Sequence, residues 1–201
     1  MLDFKLEDEL LNKGYKYVCG VDEAGRGPLC GPVVAAAVIL PRNIEIEGLN
    51  DSKKLTEKKR ERLFDIICEK AIAYSIAYGS VELINQTNIL EATIFAMNQA
   101  VNSLPVSPDH ALIDGNIARG FAIPTTTVIH GDAISPSIAA ASILAKVTRD
   151  RMCTDLDAEY PMYGIAKHKG YGTKDHMEAL RKYGPAPIHR TKFIRFLNEE
   201  K

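Results

Sequence analysis

The chain has 201 residues, 46% of them apolar and 25% charged, enough for one sizeable core and short for two full domains. Lys and Arg number 25 against 26 Asp and Glu, so bulk charge gives no signal for nucleic acid and only a local patch can carry one. No apolar run approaches the ~20 residues of a membrane span, the acidic start is unlike a signal peptide, and Cys19, Cys30, Cys68 and Cys153 are too far apart in sequence for a recognisable metal motif. These features predict a cytoplasmic protein with reduced thiols.

In chain order, Leu2, Leu6 and Leu10 predict a short amphipathic lead-in that closes at Gly14. A strand over 15–22 follows, and the nearly unbroken apolar run over 32–40 predicts a second strand buried on both faces, paired with the first as a hairpin. Between them lies Val21-Asp22-Glu23-Ala24-Gly25-Arg26-Gly27-Pro28, two adjacent carboxylates running into a glycine turn. A helix is predicted over 56–70, with Leu63, Phe64 and Ile67 on its buried stripe. A third strand over 74–79 precedes a helix capped by Asn88.

The segment Ala111-Leu112-Ile113-Asp114-Gly115 then repeats the opening pattern, and a β-prone stretch over 121–129 ends in His130-Gly131-Asp132. Ser135-Pro136 starts a helix that runs through Arg151, with Ser as cap and Pro in the first turn. Its Ala-rich face reads as packing. The segment His168-Lys169-Gly170-Tyr171-Gly172-Thr173 reads as a flexible loop displaying an aromatic ring, with Thr173 capping a helix over 174–183. Basic residues concentrate over 51–62 and 144–201, the latter interspersed with His168, His176 and His189.

Three strands each ending in an acid beside glycine point to a ligand site at the strand ends of an α/β sheet. Asp22, Glu23, Asp114 and Asp132 are hard oxygen donors without cysteine or a histidine cluster alongside, a set that selects Mg²⁺ or Mn²⁺ over zinc. Four carboxylates suffice for two such ions at the ~3.5–4 Å spacing of in-line displacement at phosphorus. Asp22 and Glu23 can share the site only if their strand ends or bulges there, because neighbours in a regular strand face opposite ways. The glycines of Gly25-Arg26-Gly27 let backbone N–H groups approach a sugar or phosphate. Tyr171 suits stacking, and Lys53, Lys54 and Lys169 suit phosphate contacts. Together these describe a metal-dependent nuclease. A catalytically silent nucleic-acid-binding module is the alternative of another class.

The motifs Val21 to Pro28, Asn50-Asp51-Ser52-Lys53-Lys54-Leu55, Asp114-Gly115, Gly131-Asp132, the run Ile138 to Asp150 and His168 to Thr173 resemble, in order, those of bacterial ribonuclease HII. The resemblance implies an α/β, RNase H-like fold: a mixed five-stranded sheet flanked by helices, in one catalytic domain over 1–201 with a helical C-terminal extension from about residue 160. It implies that Asp22, Glu23, Asp114 and Asp132 are catalytic metal ligands for two Mg²⁺ or Mn²⁺ ions. It further implies that Gly25, Arg26, Gly27 and Tyr171 recognise a ribonucleotide 2′-hydroxyl, while Lys53 and Lys169 are expected substrate contacts from their own chemistry. The implied substrates are RNA/DNA hybrids and duplex DNA with embedded ribonucleotides, cut on the 5′ side of the ribonucleotide to leave 3′-hydroxyl and 5′-phosphate ends. Ribonuclease HIII is the nearest alternative family, but it lacks the Gly-Arg-Gly turn. A sliding clamp is a conceivable protein partner, through aromatics in Phe193-Ile194-Arg195-Phe196-Leu197.

One position departs from the family pattern: His130 stands where Lys often precedes Gly-Asp. Histidine can lose its charge near neutral pH, so activity is expected to be lost somewhat more steeply between about pH 6 and 8 than in a His130→Lys variant. Superimposable pH profiles would refute this.

Overall fold

The computed structural model describes residues 2–42 and 44–199. After helix α1 (Lys5–Asn12) come strands β1 (Val18–Ala24) and β2 (Val33–Ile39), helix α2 (Glu57–Lys70) and strand β3 (Ala73–Gly79). Helices α3 (Val81–Gln86) and α4 (Ile89–Asn102) lead to β4 (His110–Asp114) and β5 (Thr125–Val128). The long α5 (Pro136–Glu159) precedes α6 (Ile165–His168), α7 (Lys174–Tyr183) and α8 (Phe196–Glu199). The sheet order is β3-β2-β1-β4-β5. Antiparallel pairing joins β3, β2 and β1, and parallel pairing joins β1, β4 and β5.

Every residue of β2 is buried because both faces of the sheet are covered. Ala35, Ala37 and Ile39 pack with Ala96, Met97 and Ala100 of α4, whereas Val34, Ala36 and Val38 pack with Leu63 and Ile67 of α2 and Ala140, Ile143 and Leu144 of α5. Helix α5 lies very close to the sheet: a Cβ on Gly20 would fall 2.2 Å from the Ser137 carbonyl carbon. Being enclosed between the sheet, α2 and the C-terminal helices, α5 buries residues all round its first half. That accounts for its run of small side chains.

Local chemistry sets the element boundaries. The Asp109 carboxylate accepts from the Lys16 and Tyr17 N–H groups at 2.8 and 3.1 Å, so β1 starts at Val18 rather than at residue 15. Phe121 and Ile123 pack on the α4-side core, which confines β5 to Thr125–Val128 of the expected 121–129. Helix α3, unforeseen in the sequence, is capped by Ser80, whose side chain accepts from the Leu83 N–H. The expected caps Asn88, Ser135 and Thr173 each accept from the residue three further on. Among the described residues no helix is long and apolar enough to cross a membrane.

The β1–β2 ladder continues to Ala24↔Val34, but the β1–β4 ladder stops at Val21↔Ile113. Beyond Val21 the central strands part, and the sheet opens where Asp22, Glu23 and Asp114 lie.

Candidate active site

Asp22 follows the α5-facing side of β1 and Glu23 the α4-facing side, because the strand neither ends nor bulges between them. Both nevertheless reach the opening, since β4 no longer covers that edge. What ends there is the pairing with β4, which corrects the expected break in the strand itself.

Asp22 is 4% exposed. Its carboxylate accepts from the Glu23 N–H at 2.7 Å and from the Ser142 side chain. Burial, then the charges of Glu23 and Asp114, hold its pKa well above the usual carboxylate range. Burial raises Glu23 as well, opposed by Arg26, whose guanidinium lies 3.3 Å from the Glu23 carboxylate. Asp114 is raised by burial and by Asp132, and accepts from the Gly131 N–H at 2.7 Å. Asp132 lies beyond β5, in a 3₁₀ turn over Gly131–Ala133 that follows His130 in the left-handed region at φ 56°. It is buried, and Lys53 Nζ sits 3.2 Å from its carboxylate. Burial lowers the Lys53 pKa, but Asp132, Asp22 and Asp51 more than offset this and raise it.

The cleft beside these acids holds about 220 Å³ and is lined in part by Asp22, Glu23, Gly25, Gly27, Lys53 and Tyr171. Two larger hollows, about 1080 and 380 Å³, lie around α1 and contain neither the acid cluster nor the glycine turn. Tyr171 is 49% exposed, and its ring would meet a Cβ on Gly27 at 3.3 Å. Gly25 adopts φ +98°, and a Cβ there would fall 1.9 Å from Arg149 Nε. Gly25 is therefore required by crowding and by its backbone conformation, whereas a Cβ on Gly27 would ask the half-exposed Tyr171 ring to give by a few tenths of an ångström.

One expected substrate contact and several cations of the two basic stretches stand elsewhere. Lys169 is not among the cleft-lining residues; its Nζ lies 3.6 Å from the Glu57 carboxylate. Arg60 turns inward to donate to the Ser52 and Leu55 carbonyls, withdrawing from the basic face of α2. Arg190, within the basic stretch over 144–201, is fully buried and donates to the carbonyls of Gly25, Arg26, Pro28, Gly31 and Pro32. Arg149, equally buried, donates to the carbonyls of Cys30, Pro32 and Lys169. These two guanidiniums shape the Gly25–Gly27 turn and tie it to the Tyr171 loop. Sequence reasoning missed this because an arginine that serves carbonyls looks the same in sequence as one that serves phosphates. The Tyr171 loop, glycine-rich and expected to be flexible, is pinned at Lys169 by Arg149 and at Gly170 by the Leu29 N–H.

Acids delivered to the open end of a mixed sheet, on this topology, define the protein as a nuclease of the RNase H-like class. Comparison with known proteins narrows the class. The chain belongs to the ribonuclease HII family, whose model matches residues 19–196. It is 52% identical over 192 residues to the ribonuclease HII of Caldicellulosiruptor bescii, covering 96% of this chain and 93% of that one. Among solved structures, it resembles the ribonuclease H2 of Pyrococcus horikoshii OT3 with TM-score 0.76 and 29% identity, over 92% of this chain and 98% of that one. It shares its fold with the ribonuclease HII of Archaeoglobus fulgidus solved in complex with PCNA (TM-score 0.72, 24% identity, 90% and 94% covered). The protein is thus an endoribonuclease acting on RNA/DNA hybrids, of a divalent-metal-dependent kind.

Proposed function

We propose that residues 1–201 form one catalytic unit that hydrolyses the phosphodiester on the 5′ side of a ribonucleotide, in hybrids and in duplex DNA carrying single ribonucleotides. The products would carry 3′-hydroxyl and 5′-phosphate ends. The observation that carries this reading is the convergence of Asp22, Glu23 and Asp114 beside the Gly25–Gly27 turn and Tyr171, with Asp132 next to Asp114 and bridged to the cleft by Lys53.

The acid cluster fits Mg²⁺ or Mn²⁺: its donors are carboxylate oxygens, and burial with mutual repulsion raises the pKa of three of them, a penalty that a divalent cation relieves. Two ions, when bound, supply Lewis-acid activation of water and charge stabilisation at the leaving oxygen. The chain's own residues do the rest. Gly25 and Gly27 keep side chains away from the sugar, so that backbone N–H groups can read its 2′-hydroxyl. Tyr171, packed over Gly27, offers its exposed ring to the sugar. Lys53, 78% exposed, is free to exchange the Asp132 carboxylate for a substrate phosphate.

Cleavage of a labelled DNA duplex containing one ribonucleotide tests the proposal. A metal-dependent cut just 5′ of the ribonucleotide is expected, abolished in Asp132→Asn and weakened at least ~5-fold in Tyr171→Ala, the loss of one stacking contact. Equal cleavage of all-DNA duplex would remove the 2′-hydroxyl recognition and leave the metal chemistry. As to a sliding clamp, Ile194 is buried and Phe196 and Leu197 pack against the C-terminal core. That packing leaves Phe196 and Leu197 half-buried, and the Archaeoglobus fulgidus ribonuclease HII solved in complex with PCNA supports a sliding clamp as a protein partner.

A further inference from the structure

The chemistry above uses no histidine, yet His176 and His189 are fully buried together with Cys30. The Cys30 Sγ and one ring nitrogen from each histidine all lie within 4.8 Å of one another. His176 Nδ1 is 3.0 Å from the Tyr171 carbonyl oxygen, which can only accept. Nδ1 therefore carries the hydrogen, and Nε2 presents a lone pair. That lone pair faces His189 Nε2 at 3.2 Å. On its far side, His189 Nδ1 lies 3.0 Å from the Ala186 N–H and 3.2 Å from the Ala186 carbonyl oxygen, so either tautomer of this ring finds a partner.

The two tautomers define two states of the cluster. In one, His189 Nε2–H donates to His176 Nε2. In the other, which the cation must favour, His189 Nδ1–H donates to the Ala186 carbonyl, the Ala186 N–H gives up its acceptor at Nδ1, and both Nε2 lone pairs converge beside the Cys30 sulfur. Each imidazole then has its outer N–H held by a backbone carbonyl, the arrangement that orients metal-ligating histidines. The nitrogen separation is close to the edge of a tetrahedron with bonds of ~2.0–2.1 Å.

We propose that Cys30, His176 and His189 form a site for a thiophilic d¹⁰ cation, Zn²⁺ or Cu⁺, distinct from the carboxylate cluster. The donors are suited to it: burial holds His189 down at about 4 and His176 below its ordinary value, so both rings are neutral at pH 7. Burial pushes the Cys30 thiol up to about 12. Binding must therefore displace the thiol proton, which leaves to solvent as the sulfur–metal bond forms. Arg149 and Arg190 favour the thiolate but oppose net positive charge beside them. Cu⁺ on one thiolate is neutral and is complete with three donors, whereas Zn²⁺ leaves one positive charge and takes four ligands in structural sites. The expected order of affinity is Cu⁺ over Zn²⁺. Mg²⁺ and Mn²⁺ prefer oxygen donors and do not compete.

The position gives the site a consequence. Cys30 follows the Gly25–Gly27 turn, His176 holds the Tyr171 carbonyl, and His189 adjoins Arg190, which holds the turn. A bound ion would tie all three together and stiffen both the turn and the Tyr171 loop. This inference does not depend on the role of the acids.

The test uses the full chain, reduced and stripped with chelator, titrated with Cu⁺ against a chromogenic competitor. A separate titration uses Co²⁺ as the visible probe for Zn²⁺. One equivalent per chain with thiolate-to-metal charge-transfer absorption is expected, together with a raised melting temperature. Affinity should fall at least ~100-fold in Cys30→Ala and persist in Cys153→Ala, a neighbouring thiol outside the trio. Should Cys30→Ala fail to fold, maleimide labelling of the wild type mapped by mass spectrometry decides: the ion should slow labelling of Cys30 and leave Cys68 unchanged. Absence of the charge-transfer band with both ions, or equal affinity in a folded Cys30→Ala, would overturn the site. Binding of Co²⁺ and Zn²⁺ without Cu⁺ would overturn the order of affinity.

Discussion

Asp22 shows how a single residue reconciles burial with charge. Its carboxylate is held ionised only against desolvation and two neighbouring acids, so its pKa is raised in the folded chain. The folded state then binds the proton more tightly than the unfolded one, and this group's contribution to stability is lost as pH rises above the ordinary carboxylate value of ~3.9. In chelator at pH 7, Asp22→Asn is expected to melt on the order of 3 °C or more above wild type, and to lose the stabilisation that Mn²⁺ gives the wild type. A lower melting point in the variant would refute the repulsion argument. His110 presents the opposite sign. Its Nε2 meets the Thr126 hydroxyl at 2.9 Å, its Nδ1 is buried without a hydrogen-bond partner among the described residues, and burial lowers its pKa. Stability from this group is therefore complete above about pH 6.5 and is lost as pH falls through its lowered value. Melting temperature should decline more steeply from pH 7 to 5 in wild type than in His110→Gln; equal slopes would exclude His110 as a source of acid sensitivity.

The turn between β1 and β2 depends on a residue far away in sequence. Five backbone carbonyls of residues 25–32 converge on Arg190, an arrangement that a planar guanidinium can satisfy and that an ammonium with three donors cannot. Arg190→Lys is expected to lower the unfolding free energy by more than ~2 kcal/mol, since carbonyls left unpaired and buried cost ~1–3 kcal/mol each, and to raise KM for a hybrid substrate. Wild-type stability and KM in that variant would remove Arg190 from the turn's support. The strand over 32–40 was legible because its unbroken apolar run admits only burial on both faces. The turn's support was not, because hydrogen bonds to carbonyls impose no residue pattern on the segment that accepts them.

Across the molecule, the segment after residue 159 completes the turn as well as extending the chain. Cys30 and Leu29 from the β1–β2 turn pack with Cys153, Tyr163, Ile165, Leu180 and Ile188, and Arg190 enters the same region. A chain ending at Glu159 is therefore expected to expose that apolar face, bind a hydrophobic dye and lose ribonucleotide-directed cleavage. A monomeric, cooperatively melting and active 1–159 fragment would show that the C-terminal helices are dispensable and would contradict a single catalytic unit.

The sequence by itself determined the strands, most of the helices with their caps, the acids beside glycine and the glycine turn, because periodicity, capping and glycine conformation are local in the chain, while the mixed pairing of the sheet came with the family resemblance. Tertiary structure alone decided where β1 parts from β4, so that Asp22 and Glu23 serve one opening from opposite faces. It also decided which cations meet solvent and which turn inward: Lys53 reaches the acids, Arg149 and Arg190 hold backbone, and His176 and His189 retreat beside Cys30. Such choices depend on what lies across the fold from each side chain, and one-dimensional spacing does not encode it.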